Sequence, residues 1–136
     1  PRNEKLTEAI NLSGLSNLIG SHADGLSMKV GEAGNKLSGG QRQTIAVARA
    51  VMADSSILLF DEPTSAMDSS LEAQVGKGLG KFSEDKTLLL VTHRTSLLHM
   101  VDRLIVMDSG HIVADGSKQS VLAALEKGTI YRGANK

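Results

Sequence analysis

In "SILLFDEP", residues 56–63, an uninterrupted hydrophobic segment over 56–60 gives way abruptly to Asp61, Glu62 and Pro63. Unbroken hydrophobicity over so short a span predicts a parallel strand covered on both faces. Pro63 cannot donate to a ladder and therefore ends the strand. A second segment of the same kind, "TLLLV" (87–91), stops at Thr92 and His93. Between them the pattern predicts a helix from Ser69 to about Phe82.

Beyond the second strand, "RTSLLHMV" reads as a short helix, and "RLIVM" and "HIVAD" flank Asp108, Ser109 and Gly110, a hairpin signal. The segment "SKQSVLAALEKG" opens on a Ser cap and stops at a Gly. The tail "TIYRGANK" reads as a frayed end. Toward the N-terminus, an aliphatic helix is expected from about Ser38 to Ala53. Residues 20–36 are rich in Gly and polar residues and read as loop. Asn3 is the expected cap of a helix over "EKLTEAINLS" that stops at Gly14, and "LSNLIG" reads as a second short helix. From the helix at Ser38 onward, the order of helices and strands is that of an α/β layered domain.

Bulk composition narrows the classes. The chain has 136 residues, enough to bury a real core, and 40% are apolar while only 2% are aromatic, so that core is aliphatic. Fifteen basic residues balance 15 acidic ones, so no global field points to nucleic acid or to an acidic membrane surface. There are no cysteines, which excludes a disulfide scaffold and thiolate metal sites. No aliphatic run approaches the length of a membrane span. The N-terminus lacks both the apolar core of a secretion signal and an initiator Met, which is expected of a chain that starts partway through a longer protein.

Three places carry candidate chemistry. Ser38, Gly39 and Gly40 open the helix 38–53, where unpaired N–H groups and the helix dipole favour an anion and glycines allow its close approach. A capped helix after a flexible loop is the plainer alternative. Asp61 and Glu62 lie past the carboxyl end of a strand, where ligands bind in open α/β sheets. Successive strand residues point opposite ways, so one acid can hold Mg²⁺ and the other can deprotonate an attacking water; a solvated turn is the alternative. His93 ends the second strand and should emerge on the same edge of the sheet as Asp61. There it is either structural or a hydrogen-bond donor to a terminal phosphoryl oxygen.

Taken together and in order, "LSGGQRQ", "ILLFDEPTSAMD" and "LLLVTHR" resemble the signature, Walker B with D-loop, and switch histidine of the ATP-binding cassette (ABC) ATPases. The resemblance spans roughly residues 30–116. "VGEAG" and "THR" are similar to the exporter branch, and "EPTSAMD" and "THRTSLL" most resemble the ATPases of type I protein secretion systems. The resemblance implies a partial P-loop NTPase fold: parallel strands with helices, a helical signature subdomain, and a C-terminal hairpin and helix. It implies Asp61 binding Mg²⁺ through water, Glu62 as general base, and His93 holding the γ-phosphate and the attacking water. Ser38, Gly39, Gly40 and Gln41 would face ATP bound by a second cassette subunit paired head to tail. Ser65 and Asp68 would lie in the D-loop, and Glu32 near the transmembrane partner. The expected location is the cytoplasmic face of the inner membrane, with no nucleic-acid partner.

The sequence departs from the family's pattern: the adenine-stacking aromatic and the Gln-containing loop expected upstream are missing. A phosphate loop of the form G-x-x-x-x-G-K-[ST] is absent, and "GKGLGKF" falls in a helix with the wrong spacing. The expectation is the C-terminal portion of one nucleotide-binding domain, with residues 1–53 as helical and signature region and 54–136 running from Walker B onward. Such a portion would not hydrolyse ATP alone. The alternative is a naturally truncated, non-catalytic half-cassette that completes or regulates another ATPase. A DNA-repair ATPase is weaker, because neither heptads nor a basic face is present.

Overall fold

A computed structural model of the chain describes residues 2–130. The residues fall into two compact units divided between Leu97 and Leu98. Of the tail "TIYRGANK", residues 131–136 lie outside the described residues.

The first unit begins with α1 (Arg2–Ser13) and α2 (Leu15–Ser21), which break at Gly14 in a left-handed conformation. Asn3 sits inside α1 rather than capping it, and its carbonyl accepts a bond from the Thr7 hydroxyl. Two short 3₁₀ turns, Gly25–Ser27 and Glu32–Gly34, punctuate the segment expected to be loop. Helix α3 (Gly39–Ala53) follows with Ser38 as its N-cap, burying Thr44, Val47, Ala48 and Val51. Strand β1 (Ile57–Asp61), helix α4 (Ser69–Phe82) and strand β2 (Thr87–Val91) form a β-α-β unit, and the two strands pair in parallel with Leu59 opposite Leu89 and Asp61 opposite Val91.

The core of this unit is aliphatic, as the composition requires, with Ala9, Val47, Val51, Leu58, Val75, Leu79 and Leu97 buried. Helix α1 packs on both α3 and α4. Its approach to α4 is close enough that a Cβ on Gly78 would lie 3.0 Å from the Leu12 carbonyl oxygen. The glycines of "GKGLGKF" therefore belong to a helix, and Gly78 to a helix–helix contact.

Burial corrects one expectation. Strands β1 and β2 are not covered on both faces among the described residues: Leu58 and Phe60 are buried, whereas Ile57, Leu59, Leu89 and Val91 are 60%, 70%, 56% and 54% exposed. Side chains alternate along a strand, so these four belong to one face of the parallel pair. A continuous hydrophobic segment announces two apolar faces, but covering both requires neighbours that the segment itself cannot supply.

The second unit is the expected hairpin and helix. β3 (Arg103–Asp108) pairs antiparallel with β4 (His111–Ser117) around Ser109 and Gly110, both at positive φ, and a register shift falls between Val106 and Met107. Arg103 grips Asp115 across the strands through two hydrogen bonds of 2.8 and 2.7 Å, which holds the Asp115 carboxyl below its usual range. Helix α5 (Lys118–Glu126) starts at a Ser117 cap and buries Val121.

Candidate functional site

Three segments of the first unit converge: the mouth of α3, the loop 62–68, and the residues after β2. At the helix mouth Ser38 and Gln41 form a capping box. The Gln41 N–H donates to Ser38 Oγ at 3.2 Å, and the Ser38 N–H donates to Gln41 Oε1 at 2.9 Å. Gln41 therefore spends its side-chain carbonyl locally. The N–H groups of Gly39 and Gly40 donate to no protein acceptor among the described residues, so the positive end of the helix keeps two donors available.

The glycines have a second reason to be there. A Cβ on Gly40 would lie 2.8 Å from the Ala66 carbonyl oxygen, and one on Gly39 would lie 3.3 Å from Ala66 Cβ. The loop after β1 is thus laid directly against the helix mouth, closer than any side chain at position 40 would permit.

Glu62 makes the turn from β1 into this loop. Its φ is +46°, an uncommon conformation for a residue other than glycine and one that costs about 1–3 kcal/mol unless the surroundings enforce it. Here they do. The Glu62 N–H extends the ladder to the Val91 carbonyl at 2.8 Å, and the carboxylate accepts from the His93 N–H at 3.0 Å and the Thr92 hydroxyl at 3.3 Å. The His93 ring closes on it, with Nδ1 2.6 Å from Glu62 Oε1. Glu62 is half-buried and His93 is 80% exposed, so the ring meets solvent while one nitrogen is fixed on the carboxylate. Asp61, one residue earlier, is exposed at the carboxyl end of β1 opposite Val91. Asp61, Glu62 and His93 therefore gather at one end of the parallel pair, and the two acids serve different surroundings.

The remaining predicted residues take local roles. Ser65 is exposed, and its hydroxyl accepts from Gln43 Nε2 at 2.8 Å. Asp68 caps α4, accepting from the Ser70 and Leu71 N–H groups at 2.9 and 3.0 Å. Glu32 is exposed in the 3₁₀ turn Glu32–Gly34, a short way before the Ser38 cap of α3. Among the described residues no three His, Asp or Glu side chains group as a metal cage.

Sequence reasoning missed the residues that hold this geometry. Gln43 Nε2 also donates to the Glu62 carbonyl at 3.2 Å, and Gln43 Oε1 accepts from the Ala66 N–H at 2.8 Å. Arg94 donates to the Ser65 carbonyl at 3.0 Å and pairs with the buried Glu72, which Thr64 and Ser96 also contact. A signal for Gln43 did exist. It lies three and four residues after Gly40 and Gly39, hence on the helix face that the glycines leave bare.

Comparison with known proteins decides the family. A family model described as ABC transporter matches residues 2–65. The chain is 38% identical over 133 residues to the ABC multidrug transporter atrC of Emericella nidulans, covering 98% of this chain and 10% of that protein. It is 40% identical over 128 residues to the ATP-dependent lipid A-core flippase of Shewanella oneidensis, covering 94% of this chain and 21% of the relative. A bacterial Atm1-family ABC exporter solved with ATP bound superposes with a TM-score of 0.81 at 31% identity, over 88% of this chain and 21% of that one. The chain belongs to the ABC transporter family. Its fold is part of the ABC ATPase fold, from the exporter branch. The chain spans between a tenth and about a fifth of the length of these relatives. The matched residues 2–65 contain the helix mouth, Asp61, Glu62 and Ser65, and end before Asp68 and His93. No helix among the described residues is long and apolar enough to cross a membrane.

Proposed function

We propose that this chain is the C-terminal portion of one nucleotide-binding domain of an ABC exporter, with residues 1–53 as its signature region and 54–136 running from the Walker B strand. In the full protein it takes part in ATP hydrolysis that drives export. The observation that carries this reading is the meeting of Glu62 and His93 at the carboxyl ends of two parallel strands, tied through one loop to a helix mouth with open N–H groups.

In this reading Glu62 is the general base for the attacking water, and His93 orients Glu62 while presenting its outer face to the γ-phosphate. The N–H groups of Gly39 and Gly40, with Ser38 and Gln41, receive the phosphates of an ATP held by a second cassette paired head to tail. Ser65 and Asp68 belong to the loop that crosses between the two cassettes. Asp61 offers a single exposed carboxylate, which fits Mg²⁺ held largely by water and phosphate oxygens rather than by a protein cage. When bound, that ion neutralises charge developing on the transferred phosphoryl group. Glu32 lies where the transmembrane domain of the transporter would dock, which sets the chain at the cytoplasmic face of the membrane.

The exposed face of Ile57, Leu59, Leu89 and Val91 supports the same assignment, since an apolar sheet face of this kind is normally covered in a complete domain. As for cargo, a protein or peptide carried by a type I secretion-like exporter rests on "EPTSAMD" and "THRTSLL" alone. The names of the relatives, a lipid A-core flippase and a multidrug transporter, favour a lipid or drug-like cargo instead.

The test is ATP turnover by the full-length protein. Glu62→Gln should lower kcat by about 100-fold or more, the scale of a lost general base, while ATP binding persists. Residues 1–136 alone should show no turnover, because no phosphate loop is present to hold the β-phosphate. Turnover by residues 1–136 that Glu62→Gln abolishes would overturn the assignment.

A further inference from the structure

Two side chains outside the proposed reaction centre hold the loop 62–68 from two different elements. From α3, the Gln43 amide engages three loop atoms: the Glu62 carbonyl at 3.2 Å, the Ser65 hydroxyl at 2.8 Å and the Ala66 N–H at 2.8 Å. From the segment after β2, Arg94 holds the Ser65 carbonyl at 3.0 Å and is itself anchored on buried Glu72. Ser65 is thus gripped through its hydroxyl by one helix and through its carbonyl by the other strand's loop.

The bond to the Glu62 carbonyl matters most. It fixes the peptide plane that follows Glu62, at a residue already held at positive φ. With that carbonyl released, the Glu62 backbone is free to relax toward an ordinary conformation, and its carboxylate would move relative to His93. Gln43 is also one helical turn from Gly39 and Gly40, so a shift of the helix mouth is transmitted to Glu62 through a single side chain.

We propose that Gln43 is a positioning residue that sets the Glu62 carboxylate and its His93 contact relative to the open N–H groups of Gly39 and Gly40, with Arg94 as its counterpart. The inference rests on Glu62 being the general base. It assigns Gln43 no contact with substrate. A displacement on the order of 1 Å at a reacting group costs about 100-fold in rate, so loss of this tether should appear in kcat rather than in ATP affinity.

The experiment uses the full-length protein in lipid membranes, with ATP turnover measured across ATP concentration and folding followed by the thermal midpoint. Gln43→Met keeps the side chain's length and removes all three hydrogen bonds. It should lower kcat about tenfold or more and leave KM for ATP within about twofold. Gln43→Glu retains an acceptor for the Ala66 N–H and loses the donors to Glu62 and Ser65, so its kcat should fall between wild type and Gln43→Met. If Gln43→Met does not fold, Gln43→Glu decides, with an expected loss of about threefold in kcat at unchanged KM. A kcat within twofold of wild type in the deciding variant overturns the proposal, as does a loss that only tracks the unfolded fraction. Glu62→Gln separates the two levels. If it is inactive while Gln43→Met is fully active, only the positioning role falls; if Glu62→Gln turns over normally, the general-base reading falls and the positioning role with it.

Discussion

The loop 62–68 and the sheet face beside it are built on opposite terms. In the loop, polar groups find partners within the chain: Glu62 on His93 and Thr92, Ser65 between Gln43 and Arg94, Asp68 on the first turn of α4. On the face of β1 and β2 that carries Asp61, apolar side chains from Ile57 to Val91 stand open. Polar geometry is local and directional, so the groups of this loop satisfy it among themselves and their near neighbours. Apolar burial is not directional and needs area, which only further structure can provide. Among the described residues the polar arrangement is therefore closed on itself while the apolar face beside it is uncovered.

That contrast can be broken by substitution. The largest effect on stability should come from Glu72→Ala, which leaves Arg94 without its buried partner, at about 3 kcal/mol by chemical denaturation. Should the loss stay below about 1 kcal/mol, the polar network is not what holds the loop. Next, the two faces of β1 should respond unequally in this chain. Leu58→Ala, on the buried face, should cost about 2–3 kcal/mol, while Leu59→Ala, on the open face, should cost under about 0.5 kcal/mol. Equal losses would mean that the open face is covered in solution.

How much of this was legible in the sequence follows the same division. β2 and α4 fell where hydrophobic period and caps put them, and α3, β1, the hairpin and α5 lay within a residue or two, because those signals are local. Asp61, Glu62 and His93 were readable as one group because each ends a predicted strand. The spacing of Gln43 from the two glycines was readable, but its partners and those of Arg94 were not, since they lie about twenty residues or more away in sequence and only the folded loop reveals them. The open sheet face was misjudged for a related reason. An apolar strand states what it must bury but not what will cover it.

The smallest expected effect lies at the surface. Asp54 ends α3 in a left-handed conformation and receives Lys5 at 2.7 Å and Lys86 at 2.9 Å, and these hydrogen bonds lower its pKa from 3.8 to about 2. Because the folded value lies below the unfolded one, the stability Asp54 contributes is present above about pH 4 and is lost as pH falls toward 2. The difference in stability between wild type and Asp54→Asn should therefore shrink across that window. A difference that stays constant from pH 5 to pH 2 would show that the lysine contacts contribute nothing, as many exposed pairs do.

The most direct measurement is a structure of the full-length protein carrying Glu62→Gln with Mg²⁺ and ATP bound. ATP phosphate oxygens are expected about 3 Å from the N–H groups of Gly39 and Gly40, with that nucleotide held by the phosphate loop of the partner cassette and with His93 of the partner against the same γ-phosphate. A helix mouth still open to solvent, with ATP bound elsewhere, would contradict that expectation.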